Sequence, residues 1–291
     1  MRRILITGKD SYIGTSFEKY INGGFSDSYT VDTLDMIGDG WRGADLSGYD
    51  TVFHVAGIAH SDSGKISPER AALYYAVNTD LAAETAERAR AAGVKQFIYM
   101  SSAIVYGASA PIGKDKEITA DTEPAPENSY GDSKLQAERR LLPMDSDSFK
   151  VVILRPPMIY GKGSKGNYPT LAKMARKLPV FPRVENRRSM LYIDNLCEFV
   201  RLMIENGERG VFFPQNSEYT NTSELVRLIA ATHGKRVRLL GGFTPLLRLL
   251  GHLTPLVNKA FGSLAYAAEL SAYKQPYALY SLERSIEETE K

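Results

Sequence analysis

Short apolar runs that alternate with helical patterns dominate the amino-terminal part of this chain. The runs are rich in β-branched and aromatic residues, and they cover residues 3–7, 29–34, 50–57, 96–102 and 150–156. Such runs, bounded by turn residues, are typical of strands buried on both faces. Between them, residues 68–92 and 129–142 have the apolar spacing of helices. The alternation predicts an α/β fold with a doubly wound parallel sheet.

The pattern becomes less regular after Gly161. Turn-rich intervals there separate short predicted helices, at 168–177, 194–206 and 221–233. We therefore predict two domains, residues 1–161 and 162–291, with residues 187–207 returning to the first.

Composition excludes several classes of partner. The 36 Lys and Arg residues nearly balance the 34 Asp and Glu residues, and a formal charge of +2 does not favour nucleic acid. The single cysteine, Cys197, excludes an internal disulfide, and the four histidines lack the spacing of metal ligands, so we expect no metal. The apolar run at residues 4–6 is too short for a secretion signal, so we expect a cytoplasmic protein.

Residues 238–259 form a leucine-rich segment interrupted by Pro245, Arg248 and Pro255. A spanning helix needs roughly 20 apolar residues, so no transmembrane segment is predicted. Two interpretations stay open: a pair of helices in the second domain, or docking on a membrane surface through an apolar helix face.

The first predicted strand leads into a glycine turn, Thr7 to Gly14, that opens a helix. Gly8 permits the tight turn, and Gly14 permits close packing of the helix on the strand. The N-terminus of such a helix can bind a pyrophosphate. Ser11 stands where the usual motif has its middle glycine, and its side chain narrows the approach of backbone to pyrophosphate.

A carboxylate follows the second predicted strand. Asp35 lies 21 residues after Gly14, where it can accept hydrogen bonds from ribose hydroxyls and repel a 2′-phosphate. This favours NAD over NADP. Asp32 is the alternative acceptor in the same strand, and Lys9 in the glycine turn would instead attract a 2′-phosphate, so NADP is not excluded.

Tyr130 and Lys134 form a YxxxK pair on one face of a predicted helix. A nearby ammonium stabilises a phenolate, so Lys134 and an oxidised nicotinamide should lower the pKa of Tyr130 and make it a general acid or base. The fourth predicted strand ends at two serines, at the edge of the sheet where ligands bind. We predict Ser102 as the partner of Tyr130, with Ser101 as the alternative.

Several motifs occur here in the order typical of the NAD-dependent epimerase/dehydratase family, the extended short-chain dehydrogenases and reductases. They are the glycine turn, HVAG (54–57), Asn78, SSAIVYG (101–107), YGDSK (130–134) and RPPMIYG (155–161). The chain resembles this family over roughly residues 1–235, in particular its bacterial UDP-hexose and UDP-N-acetylhexosamine 4-epimerases. The resemblance implies a dinucleotide-binding Rossmann sheet in residues 1–161 and a smaller C-terminal substrate-binding domain in residues 162–291.

The resemblance also implies the cofactor contacts. Asp45 and Leu46 would flank the adenine. Ala56 and Gly57 would pass under the cofactor, and Asn78 would brace the helix behind it. The full expected set is Gly8, Ser11, Tyr12, Ile13, Gly14, Asp35, Asp45, Leu46, Ala56, Gly57, Asn78, Tyr130, Lys134 and Pro157.

Substrate contacts are implied in the same way. Arg188, in NRRSMLYI (186–193), resembles the family arginine that binds the substrate diphosphate. Met158 replaces an asparagine that often holds the sugar nucleotide, and Asn167 is the candidate substitute. From its position just after the third predicted strand, His60 is either a residue that lines the substrate cleft or a loop residue. The expected substrate-binding residues are Ser102, Tyr130, Asn167 and Arg188.

The implied activity is inversion of C4 in a UDP-hexose, through transient oxidation by NAD, for surface polysaccharides. A one-way NAD(P)H-dependent 4-keto reductase is the main alternative. A 4,6-dehydratase is disfavoured, because family dehydratases carry carboxylates where this chain has Ala103 and Ile104. A non-catalytic nucleotide-sensing protein on the same fold is a further alternative. As in relatives, helices 68–92 and 129–142 would pair in a homodimer.

Overall fold

The computed structural model describes residues 1–59 and 66–291, so His60 lies outside the described residues. The chain divides into two compact units. The first contains Met1–Gly107, Pro124–Pro156 and Leu196–Pro214. The second contains Ala108–Glu123, Pro157–Asn195 and Gln215–Lys291.

The regular elements of both units are as follows in chain order. The strands are β1 (Arg2–Thr7), β2 (Tyr29–Leu34), β3 (Thr51–His54), β4 (Gln96–Met100), β5 (Glu117–Ile118), β6 (Lys150–Leu154), β7 (Met158–Tyr160), β8 (Val180–Pro182), β9 (Met190–Tyr192), β10 (Gly210–Phe212), β11 (Arg238–Leu240) and β12 (Ala265–Tyr266). The helices are α1 (Tyr12–Gly24), α2 (Pro68–Tyr75), α3 (Leu81–Ala91), α4 (Ser129–Leu141), α5 (Asn167–Lys177), α6 (Ile193–Glu205), α7 (Thr222–Thr232), α8 (Thr244–Leu253), α9 (Pro255–Phe261) and α10 (Leu282–Glu290).

The first unit is built on a six-stranded parallel sheet with the order β10-β6-β4-β3-β1-β2. The chain changes direction of winding between β1 and β3, and in open α/β sheets the crevice at such a point is where ligands bind. The predicted α/β class with a doubly wound parallel sheet is confirmed.

All five predicted strands are present, and the sheet contains one strand more. The strand β10 escaped prediction because a run of three residues carries no periodic signal. The predicted helix over 68–92 is divided into α2 and α3 by a π-helical turn at Ala76–Asp80. Such turns often occur at functional positions.

The core of the first unit lies where the strands are fully enclosed. Every residue of β4 is buried, as is every residue of β3. Side chains from neighbouring strands and from α3 and α4 form one apolar cluster, which includes Leu5, Val52, Ala86, Phe97, Ala137 and Ile153. This packing makes the sheet a rigid platform for residues that follow its strands.

The second unit combines short strand pairs with helices. The strand β7 pairs with β9, β8 with β11 and β5 with β12, all in parallel. The helix α7 packs against α5 and α10. The segment 238–259 contains α8 and most of α9, as expected of a helical pair, and its interpretation as a docking surface remains a prediction. In the described part of the chain, the helices are too short or too polar to cross a membrane.

Candidate active site

The glycine turn after β1 depends on the missing side chains of its two glycines. A Cβ on Gly8, where φ is +123°, would lie 2.8 Å from the backbone nitrogen of Ala56. A Cβ on Gly14 would lie 2.9 Å from Cγ2 of Ile6. A larger residue at either position would therefore separate the turn from β3 or α1 from β1.

Ser11 is the N-cap of α1. Its hydroxyl accepts a hydrogen bond of 3.1 Å from the Gly14 N–H, which satisfies one of the free donors of the first turn. Tyr12 and Ile13 are the first two residues of the helix. The serine that replaces the usual middle glycine thus has a structural use, which its spacing alone did not reveal.

The two candidate carboxylates of β2 have different partners. Asp32 accepts a hydrogen bond of 2.9 Å from the Tyr49 hydroxyl, and it lies 3.5 Å from Arg3. Asp35 is exposed just beyond β2, and its side chain accepts only a local hydrogen bond of 2.9 Å from the Ile37 N–H among those described. Of the two, only Asp35 has no other side chain bound to its carboxylate among the described residues. Its contact with a ribose remains a prediction.

The two residues expected beside the adenine differ in exposure. The Asp45 carboxylate is exposed and accepts hydrogen bonds from the backbone and side chain of Ser47, which lower its pKa. The Leu46 side chain is buried in the core cluster of the first unit, at 4% exposure. Leu46 can therefore offer a cofactor its backbone, whereas Asp45 can offer its side chain.

Asn78 joins the exit of β3 to the helix α4. Its side-chain oxygen accepts a hydrogen bond of 2.8 Å from the Ile58 N–H, and its amide donates to Ser133 at 3.0 Å. A Cβ on Gly57 would lie 3.0 Å from that oxygen and 3.1 Å from Nζ of Lys134. Gly57 and Asn78 thus leave a narrow channel in which the lysine can extend.

Tyr130 lies partly buried near the start of α4, which Asn128 caps. Burial raises the pKa of Tyr130 to about 12, and a hydrogen bond with the Ser102 side chain lowers it in part. Loss of hydration thus outweighs the hydrogen bond with Ser102, and the lowering expected from Lys134 together with an oxidised nicotinamide remains a prediction. Between the two candidate serines, Ser102 is the one that contacts Tyr130.

Lys134 extends beneath the site rather than into solvent. Its ammonium donates a hydrogen bond of 2.8 Å to the Met100 carbonyl and lies 4.7 Å from the centre of the Tyr99 ring. Burial lowers the pKa of Lys134 to about 8, while the negative charge of Glu138 raises it. Glu138 therefore helps to keep this lysine protonated.

Glu138 and Arg155 form a buried ion pair that the sequence analysis missed. The shortest contact between their side chains is 2.5 Å, and Glu138 is 1% exposed. Ser101 donates its hydroxyl to the same carboxylate, and Arg155 donates to the Tyr106 hydroxyl at 2.6 Å. Ser101 is thus bound to Glu138, which leaves Ser102 as the serine at Tyr130.

A signal for this pair was present in the sequence. Glu138 lies four residues after Lys134, as Lys134 lies four after Tyr130, so all three share one face of α4. A carboxylate on a buried helix face needs a cationic partner. The Lys134 ammonium is bonded to the Met100 carbonyl, and Arg155 is the cation that pairs with Glu138.

His54 is a second buried group that sequence reasoning did not select. Its Nδ1 lies 2.8 Å from the Thr7 hydroxyl, and its ring stacks on Phe97 and Tyr99. Burial, with a smaller contribution from the charge of Lys134, lowers the pKa of His54 to about 3. His54 is therefore neutral at physiological pH.

This pKa predicts a pH dependence of stability. Between the unfolded value of 6.5 and the folded value of about 3, the unfolded chain binds a proton at His54 that the folded protein does not. The free energy of unfolding should fall, through this group, by about 1.4 kcal/mol for each pH unit below 6.5. Urea unfolding at pH 7, 6 and 5 measures it. His54→Gln should show a shallower pH dependence, and an identical dependence would contradict the assignment.

The predicted substrate arginine, Arg188, lies in the second unit. Its guanidinium donates 3.0 Å hydrogen bonds to the carbonyls of Lys259 and Gly262, and burial lowers its pKa to about 10. Its charge also lowers the pKa of Lys259. Among the described residues, no carboxylate lies within ion-pair distance of Arg188. The partly desolvated Arg188 guanidinium, with the Lys259 ammonium near it, forms a cationic place suited to an anion.

Two further predicted residues also belong to the second unit. Asn167 is the first residue of α5, and Pro157 begins the second of the unit's three segments, directly before β7. Their contact with a ligand remains a prediction.

Comparison with known proteins places these motifs in a family. The profile of the NAD dependent epimerase/dehydratase family matches residues 4–213. A UDP-glucose 4-epimerase of Vibrio cholerae is 30% identical over 307 residues, which cover 96% of this chain and 92% of that protein. An N-acetyl-alpha-D-glucosaminyl-diphospho-ditrans,octacis-undecaprenol 4-epimerase of Escherichia coli O157:H7 is 30% identical over 224 residues, covering 75% and 65%.

Solved structures agree at the level of the fold. The UDP-glucuronic acid 4-epimerase of Bacillus cereus, solved in complex with NAD, is 19% identical to this chain and has a TM-score of 0.73. The match covers 98% of this chain and 96% of that one. The recognition made from the motifs is therefore confirmed: the chain belongs to the NAD dependent epimerase/dehydratase family, and it is an NAD-dependent enzyme of the extended short-chain dehydrogenase/reductase type.

Proposed function

We propose that this protein is a nucleotide-sugar 4-epimerase that inverts C4 of a UDP-linked hexose. The observation that carries the proposal is the arrangement in the first unit of Ser102, bonded to Tyr130, and Lys134, buried on the same face of α4. The named activities of the Vibrio cholerae and Bacillus cereus proteins, both 4-epimerases of UDP-sugars, support this choice of reaction and substrate.

The residues around the glycine turn fit a dinucleotide. Gly8 and Gly14 allow α1 to approach the sheet closely, so the first N–H groups of α1 can bind a pyrophosphate. The exposed Asp35 carboxylate would bind ribose hydroxyls and repel a 2′-phosphate, which supports NAD over NADP. Bound NAD supplies the acceptor and donor of the C4 hydride.

Tyr130 then carries the proton chemistry. It takes the proton of the C4 hydroxyl and later returns it, so its pKa must lie nearer to working pH than the value of about 12 in the protein alone. The Lys134 ammonium is held protonated by Glu138 and favours the phenolate. Ser102 shares its hydroxyl between Tyr130 and the sugar oxygen.

The substrate diphosphate is assigned to Arg188 and Lys259. Burial and then the neighbouring charge of Arg188 lower the pKa of Lys259, so the two positive charges lie close together. A diphosphate would neutralise both charges with hydrogen bonds stronger than neutral ones. We assign sugar-nucleotide binding to residues 162–291, including Asn167, and dinucleotide binding to residues 1–161.

Arg188→Ala tests this assignment. We expect the KM for the nucleotide sugar to rise about 10- to 100-fold, because a charged hydrogen-bond donor to the diphosphate is lost. The affinity for NAD, measured by calorimetry, should stay within a few-fold. The matched control is Arg187→Ala, which removes an arginine already paired with Glu117 at 2.6 Å. An equal effect of both variants, or an equal loss of NAD affinity, would contradict the assignment.

The activity itself is tested with purified protein and no added reductant. UDP-glucose, UDP-N-acetylglucosamine and UDP-glucuronic acid are each incubated with the protein, and the C4 epimer is measured by NMR. Mass spectrometry identifies the dinucleotide that co-purifies. Turnover of a 4-keto sugar nucleotide that requires added NADPH would replace the proposal by a reductase. Bound nucleotide without any turnover would favour a sensor.

The cellular setting is part of the proposal. We place the enzyme in the cytoplasm, as a homodimer that supplies epimerised nucleotide sugars for surface polysaccharides. The named activity of the Escherichia coli relative, on a lipid-linked amino sugar, supports a role close to such assembly.

A further inference from the structure

The helix α8 presents leucines to solvent instead of to the protein. Leu246, Leu249, Leu250 and Leu253, which we call the leucine stripe, follow the spacing i, i+3, i+4 and i+7 and therefore share one helix face. Their exposed fractions are 51%, 59%, 36% and 74%. A surface helix normally turns its apolar stripe toward the core, so this orientation calls for a partner.

The opposite side of α8 holds the helix in place. Leu247 is 8% exposed and packs in a cluster with Ile112 and Val184. Arg248 donates a hydrogen bond of 3.2 Å to the Ile112 carbonyl and fills the space beside Gly113. Leu247 and Arg248 therefore hold α8 on the second unit without any contribution from the leucine stripe.

The segment around α8 is one-sided in charge. Residues 225–268 contain no Asp or Glu, although the whole chain has 34 of them. The segment carries six fixed positive charges, at Arg227, Lys235, Arg236, Arg238, Arg248 and Lys259. Lys235, Arg236 and Arg238 are exposed just before the helix. Arg227 is paired with Glu224, whereas Lys235, Arg236 and Arg238 form no ion pair within the part of the chain that the structure describes. An apolar stripe that follows such basic residues in the chain matches a surface that is apolar inside and anionic at its boundary.

We propose that α8 docks this protein on an anionic lipid bilayer. The leucine stripe enters the boundary between headgroups and acyl chains, and the basic residues lie over the lipid phosphates. A second copy of the chain is the less suitable occupant. An isologous contact through this face would place the same basic segment of both copies side by side, where like charges repel.

Vesicle binding tests the proposal. The purified full chain is sedimented with vesicles of phosphatidylcholine alone and with vesicles that contain phosphatidylglycerol. We expect binding to the anionic vesicles, a weaker interaction in high salt, and little binding to the neutral ones. The double variant L246E/L249E should lower the partition coefficient at least about tenfold, because two apolar side chains are lost from the interface.

The controls separate docking from misfolding and from dimerisation. Leu279→Glu changes a leucine that is 56% exposed outside α8, and it should bind vesicles like the wild type. L246E/L249E should keep the urea midpoint and the turnover of the wild type. Absence of vesicle binding, equal binding to neutral vesicles, or conversion of a dimer into a monomer by L246E/L249E would each overturn the proposal.

Discussion

Replacing Tyr130 by phenylalanine should lower turnover by about 10²- to 10⁴-fold, the range that a general acid or base contributes. The ring is kept, so its contact with Tyr74, at 5.9 Å between ring centres, is preserved. Only the hydroxyl that bonds Ser102 is lost. The measurement is the steady-state rate with a UDP-hexose, together with NAD affinity by calorimetry, which should change by no more than a few-fold.

The matched control is Tyr75→Phe. That substitution removes a hydroxyl of α2 that donates to Asp132 of α4 at 2.6 Å, and it should leave the rate nearly unchanged. If Tyr130→Phe kept most of the activity, Tyr130 could not be the group that exchanges the proton. If both variants lost activity and NAD affinity together, a folding defect would be the cause.

Glu138→Ala should produce the largest loss of stability. The substitution removes one partner of a buried ion pair and leaves the Arg155 guanidinium uncompensated in the core, which costs about 3–5 kcal/mol of unfolding free energy. Urea unfolding measures this loss. Glu224→Ala is the control, because its pair with Arg227 is exposed and should be worth less than about 1 kcal/mol. Equal losses in the two variants would contradict the assigned role of Glu138.

Glu138→Gln separates the charge from the packing. The amide keeps the shape of the carboxylate but no longer raises the pKa of Lys134, which should fall below its value of about 8. The Lys134 ammonium then loses its proton at a lower pH than in the wild type. The alkaline limb of the rate profile should therefore move toward lower pH, whereas a purely structural role would leave that limb in place.

Local signals in the sequence were sufficient to predict the glycine turn, the Tyr130 and Lys134 pair and the buried strands. Gly8 and Gly14 act through backbone geometry within one turn, and their need for a missing side chain could be inferred from spacing alone. The pair Tyr130 and Lys134 depends only on the pitch of a helix. The buried strands were recognisable because β-branched runs with turn residues at their ends have few alternative structures.

Contacts between distant parts of the chain could not be inferred in this way. Glu138 meets Arg155 across 17 residues and Ser101 across 37, and only this arrangement leaves Ser102 for Tyr130. The pKa of Tyr130 is raised by burial, which the local spacing of Tyr130 and Lys134 does not report.

The sequence by itself determined the fold class, the family and the helix face that carries Tyr130 and Lys134, because these follow from local periodicity and turn chemistry. It also determined that residues 244–253 carry leucines at helical spacing. The tertiary structure alone decided that most of these leucines face outward, and that Arg188 lies buried near Lys259. Burial and charge pairing are properties of the folded chain, since each depends on residues far away in the sequence.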